Sequence, residues 1–168
     1  MSSFTGTGIP ELKALEHAAG GDCAVDLSLF TVIDQVSKEC PYAVVIDVRI
    51  SAPGEVLSGK TLSELRDCLA LRYAIALKQW PGAIGARMGP DRFIFFAPAS
   101  FPREISDVIP GVLRQAICAP IAGWSALSIR ACTAVFRRPD NESGKIFVKR
   151  IAGLDDLSRS GSLRTTPT

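Results

Sequence analysis

Residues 84–97 read IGARMGPDRFIFFA, and the fold prediction starts from this segment. Its ends, Ile84–Met88 and Arg92–Ala97, have the apolar and aromatic character of short strands. The residues between them, Gly89-Pro90-Asp91, are typical of a tight turn, because proline suits the second position of such a turn. The stretch therefore predicts a β-hairpin.

Upstream of the hairpin, residues 41–48 read PYAVVIDV, a β-branched run that predicts a buried strand. Thr61–Trp80 predicts a long helix, which begins with a capping box from Thr61 to Glu64 and ends at Pro81-Gly82. A further helix is predicted over residues 26–39, before the first strand.

Downstream, a helical stretch is predicted from about residue 102 to residue 118, bent or split at Pro110-Gly111. A strand follows at 126–136, and a last helix at about 146–157. The order strand, helix, strand, strand, helix, strand predicts an α+β fold, a ferredoxin-like palm. We expect an antiparallel sheet with helices packed on one face, and the first strand in the middle beside the hairpin.

The length of 168 residues fits one domain. We expect a flexible N-terminal arm at 1–22, the domain at 23–160 and a disordered tail at 161–168. The net charge of +2 argues against a nucleic-acid binder. No apolar run is long enough to cross a membrane, and the N-terminus does not read as a secretory signal. Five cysteines without a CxxC pair predict reduced cytoplasmic thiols, packed as small core residues.

Asp47, near the end of the first strand, and Asp91, in the hairpin turn, are the candidate metal ligands. In a palm these carboxylates can face each other across the sheet, and Mg²⁺ takes one or two carboxylates together with phosphate oxygens. Taken without the fold, the simpler explanation is that Asp91 is a turn aspartate bonded to its own backbone and that Asp47 is a solvated strand-end carboxylate.

The segments VVIDV (44–48) and ARMGPDRFIFF (86–96), with the loop and long helix between them, resemble the GGDEF family of diguanylate cyclases. The step from Asp47 to Gly89 is 89 − 47 = 42 residues, close to the spacing in that family. The resemblance implies a bacterial, cytoplasmic, GGDEF-like domain. It also implies that Gly89, Pro90, Asp91, Arg92 and Phe93 are the remnant of the nucleotide-binding signature loop.

Several residues depart from the family pattern. Pro90 replaces the second glycine of the signature loop and Arg92 replaces the glutamate that works at the metal. On the first strand only Asp47 of the family's two aspartates survives, since Arg49 takes the place of the second, and Ala52 replaces a lysine that helps with phosphates. These changes predict that catalysis has fallen by several orders of magnitude. They also predict that the Arg92 guanidinium lies within a few ångströms of Asp47 or Asp91, in place of the metal.

The predicted function is therefore that of a degenerate GGDEF-like domain without cyclase activity. It would act as a regulatory or protein-interaction module in cyclic di-GMP-type signalling, with a protein partner or as a homodimer. We expect no cofactor, no nucleic acid and no membrane, and the changed signature loop argues against GTP binding.

Two enzymatic alternatives stay open. One is a residual diguanylate cyclase that uses GTP and Mg²⁺ at Asp47 and Asp91. The other is a P-loop-like NTPase, because GEVLSGKT (54–61) matches the pattern G-x-x-x-x-G-K-[ST] and a helix follows it. In that case Gly59, Lys60 and Thr61 would bind phosphate.

Overall fold

The computed structural model describes residues 34, 36, 38–54, 56–101, 104–124 and 126–153. The predicted arm at 1–22, the tail at 161–168 and most of the predicted helix at 26–39 lie outside the described residues. Of that helix, the described residues Asp34, Val36, Lys38 and Glu39 are helical.

Four antiparallel strands form one sheet, in the order β2-β3-β1-β4. With the helices between the strands, this is the split βαβ arrangement of a ferredoxin-like palm, so the predicted α+β fold is confirmed. The strands are β1 (Tyr42–Ser51), β2 (Ile84–Arg87), β3 (Arg92–Ala97) and β4 (Ser128–Arg137). The helices are α1 (Gly59–Leu77), α2 (Glu104–Asp107), α3 (Ile109–Cys118) and α4 (Gly144–Ala152).

The central strand β1 is longer than predicted. It pairs with β3 from Tyr42 to Asp47, and with β4 along its whole length, from Tyr42 opposite Arg137 to Ser51 opposite Ser128. The prediction stopped at Val48 because polar residues interrupt the apolar run there. The last residues of β1 nevertheless remain extended, because β4 supplies their backbone hydrogen bonds.

Helices cover both faces of the sheet, and the prediction of helices on one face is wrong. Val44 and Ile46 pack into a buried cluster with residues of α1, α2 and α3. Ala43 and Val45 point the other way, into a second cluster that contains Val36 and residues of α4. Residues 43–46 are all fully buried, which explains why β1 is a continuous apolar run without polar alternation.

The long helix begins two residues earlier than predicted. Its N-cap is Ser58, whose Oγ accepts a hydrogen bond from the Thr61 backbone N–H at 3.1 Å. Thr61 therefore lies inside the first turn, and the predicted capping box with Glu64 is wrong. The cap thus lies three residues before the predicted one, and the free donor that it satisfies is the backbone N–H of Thr61.

The break between α2 and α3 lies at Val108, not at Pro110-Gly111. Pro110 belongs to the first turn of α3. Proline is tolerated there because the first N–H groups of a helix have no partner within it, so the residue starts a helix instead of splitting one.

No helix among the described residues is both long enough and apolar enough to cross a membrane.

The cysteines differ in their exposure. Cys40 and Cys68 are buried, as predicted for small core residues, whereas Cys132 on the outer strand β4 is exposed and Cys118 is half-buried. Burial, helped by the nearby Glu39 carboxylate, raises the pKa of the Cys40 thiol to about 11. The expectation that every cysteine lies in the core is therefore wrong for Cys132.

Alkylation of the native protein with iodoacetamide at pH 8 is expected to modify Cys132 much faster than Cys40 or Cys68. The thiolate is the reactive form, and at this pH only about a thousandth of a thiol with a pKa near 11 is ionised. Peptide mass spectrometry at successive times measures each rate, and the same reaction in guanidinium chloride is the control in which burial is removed. Equal rates for Cys40 and Cys132 in the native protein would contradict the packing described here.

Candidate functional site

The candidate site lies where the hairpin turn meets the second half of β1. The pairing of β1 with β3 ends at Asp47 opposite Arg92. One residue further along, the Val48 backbone N–H donates a hydrogen bond of 2.8 Å to the Asp91 carbonyl oxygen. A cavity of about 290 Å³ opens here, and Asp47, Pro90, Asp91 and Arg92 contribute to its wall.

The hairpin turn has a fixed backbone. Gly89 adopts a φ of +79°, in the left-handed region that favours glycine. The Met88 N–H donates to the Arg92 carbonyl at 2.9 Å, and the Arg87 guanidinium donates to the Pro90 carbonyl at 3.3 Å. The backbone geometry of the turn therefore explains the glycine at position 89. It also explains the exposed position of Pro90, whose carbonyl oxygen accepts the bond from Arg87.

Arg92 lies beside Asp47, as the sequence predicts. Its Nε donates to Asp47 Oδ1 at 2.6 Å and its Nη2 donates to Oδ2 at 2.8 Å. Both side chains are only 13% exposed. This is a bidentate, charge-assisted pair, in which one planar guanidinium engages both oxygens of one carboxylate.

Asp91 forms a second bidentate pair, with Arg66 of α1. The Arg66 Nε and Nη2 donate to the two Asp91 oxygens at 2.9 and 3.0 Å. Sequence reasoning missed Arg66. The sequence did contain an indication of its position. Arg66 precedes Leu69 by three residues and Tyr73 by seven, and this helical spacing places it on the side of α1 that faces the sheet.

The two candidate metal ligands thus border one cavity, and each is held by its own arginine. Within the described part of the chain, no group of three or more histidine, cysteine, aspartate or glutamate side chains gathers at one point. The proposed Mg²⁺ site at Asp47 and Asp91 stays a prediction, and an ion there would compete with two guanidinium groups.

Phe93, the last residue of the predicted signature loop, belongs to the core. It is 1% exposed, and its ring centroid lies 4.9 Å from that of Tyr73. The Tyr73 hydroxyl in turn donates to the Ile94 carbonyl at 2.5 Å. Phe93 therefore anchors β3 to α1 and positions its neighbour Arg92.

No protein-family model matches this chain, and no curated protein matches it. The resemblance to GGDEF domains accordingly depends on the residues quoted for it and on the palm topology.

The second predicted phosphate site, Gly59, Lys60 and Thr61, lies in the first turn of α1. The Ser58 hydroxyl donates to Thr61 Oγ1 at 2.9 Å, in addition to capping the Thr61 N–H. The backbone N–H and the hydroxyl of Thr61 thus both bond to the Ser58 hydroxyl. The preceding strand β1 is antiparallel to both of its neighbours, whereas the strand before a P-loop belongs to a parallel sheet.

Proposed function

We propose that this chain is a degenerate GGDEF-like palm that has exchanged metal binding for arginine–carboxylate pairs and acts as a non-catalytic regulatory module. The single observation that supports this most is the bidentate Arg92–Asp47 pair. It occupies both oxygens of the one carboxylate that matches the family's metal-binding strand.

The physical reason is charge. Phosphodiester formation from a nucleoside triphosphate needs divalent ions that neutralise the phosphates and hold the reacting groups in line. A guanidinium that already engages both Asp47 oxygens places a positive charge where the ion would bind. Mg²⁺ would have to break two charge-assisted hydrogen bonds and then lie close to Arg92.

The proposed role depends on the palm fold, which is kept although the catalytic residues have changed. The palm has a buried apolar core on both faces of its sheet, which supports a role for the fold itself apart from catalysis. Such a domain can act in cyclic di-GMP-type signalling through contacts with a protein partner or with a second copy of itself. We place this role in the cytoplasm.

Purified protein incubated with GTP and Mg²⁺ or Mn²⁺ is expected to form no detectable cyclic di-GMP and to release no phosphate above background. Chromatography and a phosphate assay measure the two products. The matched variants are Asp47→Asn, which removes the remaining family carboxylate, and Lys60→Ala, which removes the P-loop-like lysine.

Cyclic di-GMP formation that Asp47→Asn abolishes would overturn the proposal in favour of a residual cyclase. Phosphate release that Lys60→Ala abolishes would overturn it in favour of the P-loop-like alternative. Turnover that survives both substitutions would come from neither candidate site, and it would overturn the non-catalytic role itself.

A further inference from the structure

The last strand, β4, lies at an edge of the sheet. Among the described residues its one strand neighbour is β1, and the two pair without interruption from Ser128 to Arg137. The strand has ten residues, contains neither proline nor glycine, and buries only Ala134. Proteins protect sheet edges by short strands, bulges or proline, because an open edge accepts a further strand. β4 has none of these three features, so its outer edge can pair with another extended chain.

A groove of about 860 Å³ runs beside this edge, between β4 and α3. Its apolar wall includes Val108, Val112 and Ile129, and Val108 is 49% exposed. Ile129 belongs to the face of β4 that packs toward the core shared with α1 and α3. Successive side chains of a strand point to opposite faces, so every second side chain of a strand added to β4 would lie on this face. Apolar side chains at those positions would fill the groove.

The other side chains of an added strand would lie on the face that carries Arg130. Arg130 is exposed and neighbours Ile129 in sequence, so its side chain points to the opposite face. Residues directly opposite each other on paired strands have Cβ atoms about 4.5–5.5 Å apart, and opposite charges there attract. β4 carries Arg130 and Arg137 but no acidic residue. A carboxylate opposite Arg130 therefore complements this strand.

A second copy of this chain is a poorer occupant of the edge. Pairing of β4 with the β4 of another copy would bring arginines together and supply no carboxylate. On the helical side of the groove, Arg114 and Asp107 carry opposite charges. The preference for an acidic strand therefore comes from β4 itself.

We propose that the edge of β4 and the groove beside it bind an extended segment of a partner protein, in which acidic residues alternate with apolar ones. Main-chain hydrogen bonds to β4 supply affinity in this mode of binding, and the groove and Arg130 supply specificity. The inference deepens the proposed function, since it names the surface and the partner class of that regulatory module. It rests on that proposal for the role of a protein partner.

Fluorescence anisotropy with a labelled synthetic peptide that alternates aspartate and valine tests the inference. Wild-type protein is expected to bind this peptide, with an affinity that falls as salt screens the charges. A peptide with lysine in place of aspartate is expected to bind about tenfold more weakly, since it brings like charges to Arg130. A peptide with proline at its centre is expected to lose as much affinity, because proline cannot donate to the strand ladder.

The substitution Gly111→Glu blocks the groove without disturbing the fold. Gly111 lines the groove in the first turn of α3, and a Cβ there would meet no atom within 4 Å. The variant is expected to bind the acidic peptide about tenfold more weakly, because it adds bulk and a like charge. It is expected to melt at an equal or higher temperature than wild type, since glutamate is a better helix former than glycine and suits a first turn. Weaker binding at undiminished stability separates a blocked groove from misfolding.

The matched control is Ser63→Glu, which makes the same change of charge at an exposed position of α1, outside the groove. Its affinity for the acidic peptide is expected to stay within about twofold of wild type, since a distant exposed charge is largely screened. Equal weakening by Gly111→Glu and Ser63→Glu would overturn the inference.

Cys132 reports where the peptide binds, because it is exposed on β4 and lines the groove. Saturating acidic peptide is expected to slow its alkylation by iodoacetamide about fivefold or more, since reaction requires an accessible thiolate. A peptide that binds but leaves the Cys132 rate unchanged binds elsewhere and would overturn the inference.

Two further results would overturn it. One is the absence of binding at millimolar acidic peptide. The other is a wild-type dimer in sedimentation experiments that Gly111→Glu dissociates, which would assign the groove to a second copy. Turnover of GTP in the assay above would overturn the proposed function without abolishing peptide binding, so the two failures are distinguishable.

Discussion

Replacing Arg72 by methionine is expected to lower the free energy of unfolding by about 2–4 kcal/mol, because a buried network of charged hydrogen bonds is lost. Arg72 lies on α1 and is only 7% exposed. Its guanidinium donates to the carbonyl oxygens of Ile117 at 3.1 Å, Ala119 at 2.5 Å and Pro120 at 3.1 Å, at the C-terminal end of α3. Methionine fills a similar volume but leaves those carbonyl groups without this donor.

Urea denaturation followed by circular dichroism measures the loss, as a lower midpoint at an unchanged slope. The matched control is Arg114→Met, at an exposed position on α3 itself, which is expected to change stability by no more than about 0.5 kcal/mol. A loss below about 1 kcal/mol for Arg72→Met would mean that water replaces the guanidinium at the end of α3.

Replacing Arg92 by alanine is expected to lower the free energy of unfolding by about 2–4 kcal/mol, because it removes two charge-assisted hydrogen bonds from the Asp47 carboxylate at a largely buried position. Asp47 is 13% exposed, so water reaches it only in part. The double variant Asp47→Leu with Arg92→Met is expected to recover most of the loss, since replacing both members of a buried pair by apolar groups is often neutral. Chemical denaturation of Asp47→Leu, Arg92→Met and the double variant completes a double-mutant cycle. A coupling energy near zero would show that the pair contributes nothing to the fold.

The substitution Arg92→Glu gives position 92 the charge found there in the GGDEF family, which this chain resembles, and it tests the metal prediction directly. In EDTA the variant is expected to melt below wild type, because two carboxylates then face each other. Millimolar Mg²⁺ is expected to raise the melting temperature of Arg92→Glu and to leave that of wild type unchanged, since only the variant offers paired carboxylates to the ion. If Mg²⁺ shifts both proteins equally, the metal-remnant interpretation of Asp47 fails.

Part of the candidate site follows from the sequence because it is local. Asp47 and Arg92 lie at the ends of two strands that can be recognised from their own residues, and the hairpin turn between β2 and β3 fixes which end of β3 meets β1. Opposite charges brought to neighbouring strand positions then pair. Arg66 was missed because its partner, Asp91, lies 25 residues further along the chain. Helical spacing alone does not show that this part of α1 packs beside the hairpin turn.

The four strands, their order around the hairpin and the position of the long helix could be predicted from the residues alone. Those features depend on residue types at short spacing, such as the apolar run before Asp47 and the glycine and proline of the turn. The folded chain was needed to see that helices cover both faces of the sheet, that Arg72 is buried, and that Arg49 lies opposite Arg130. Each of these depends on which distant segments meet, and register across β1 and β4 is set by packing of the whole sheet, not by the residues of either strand alone.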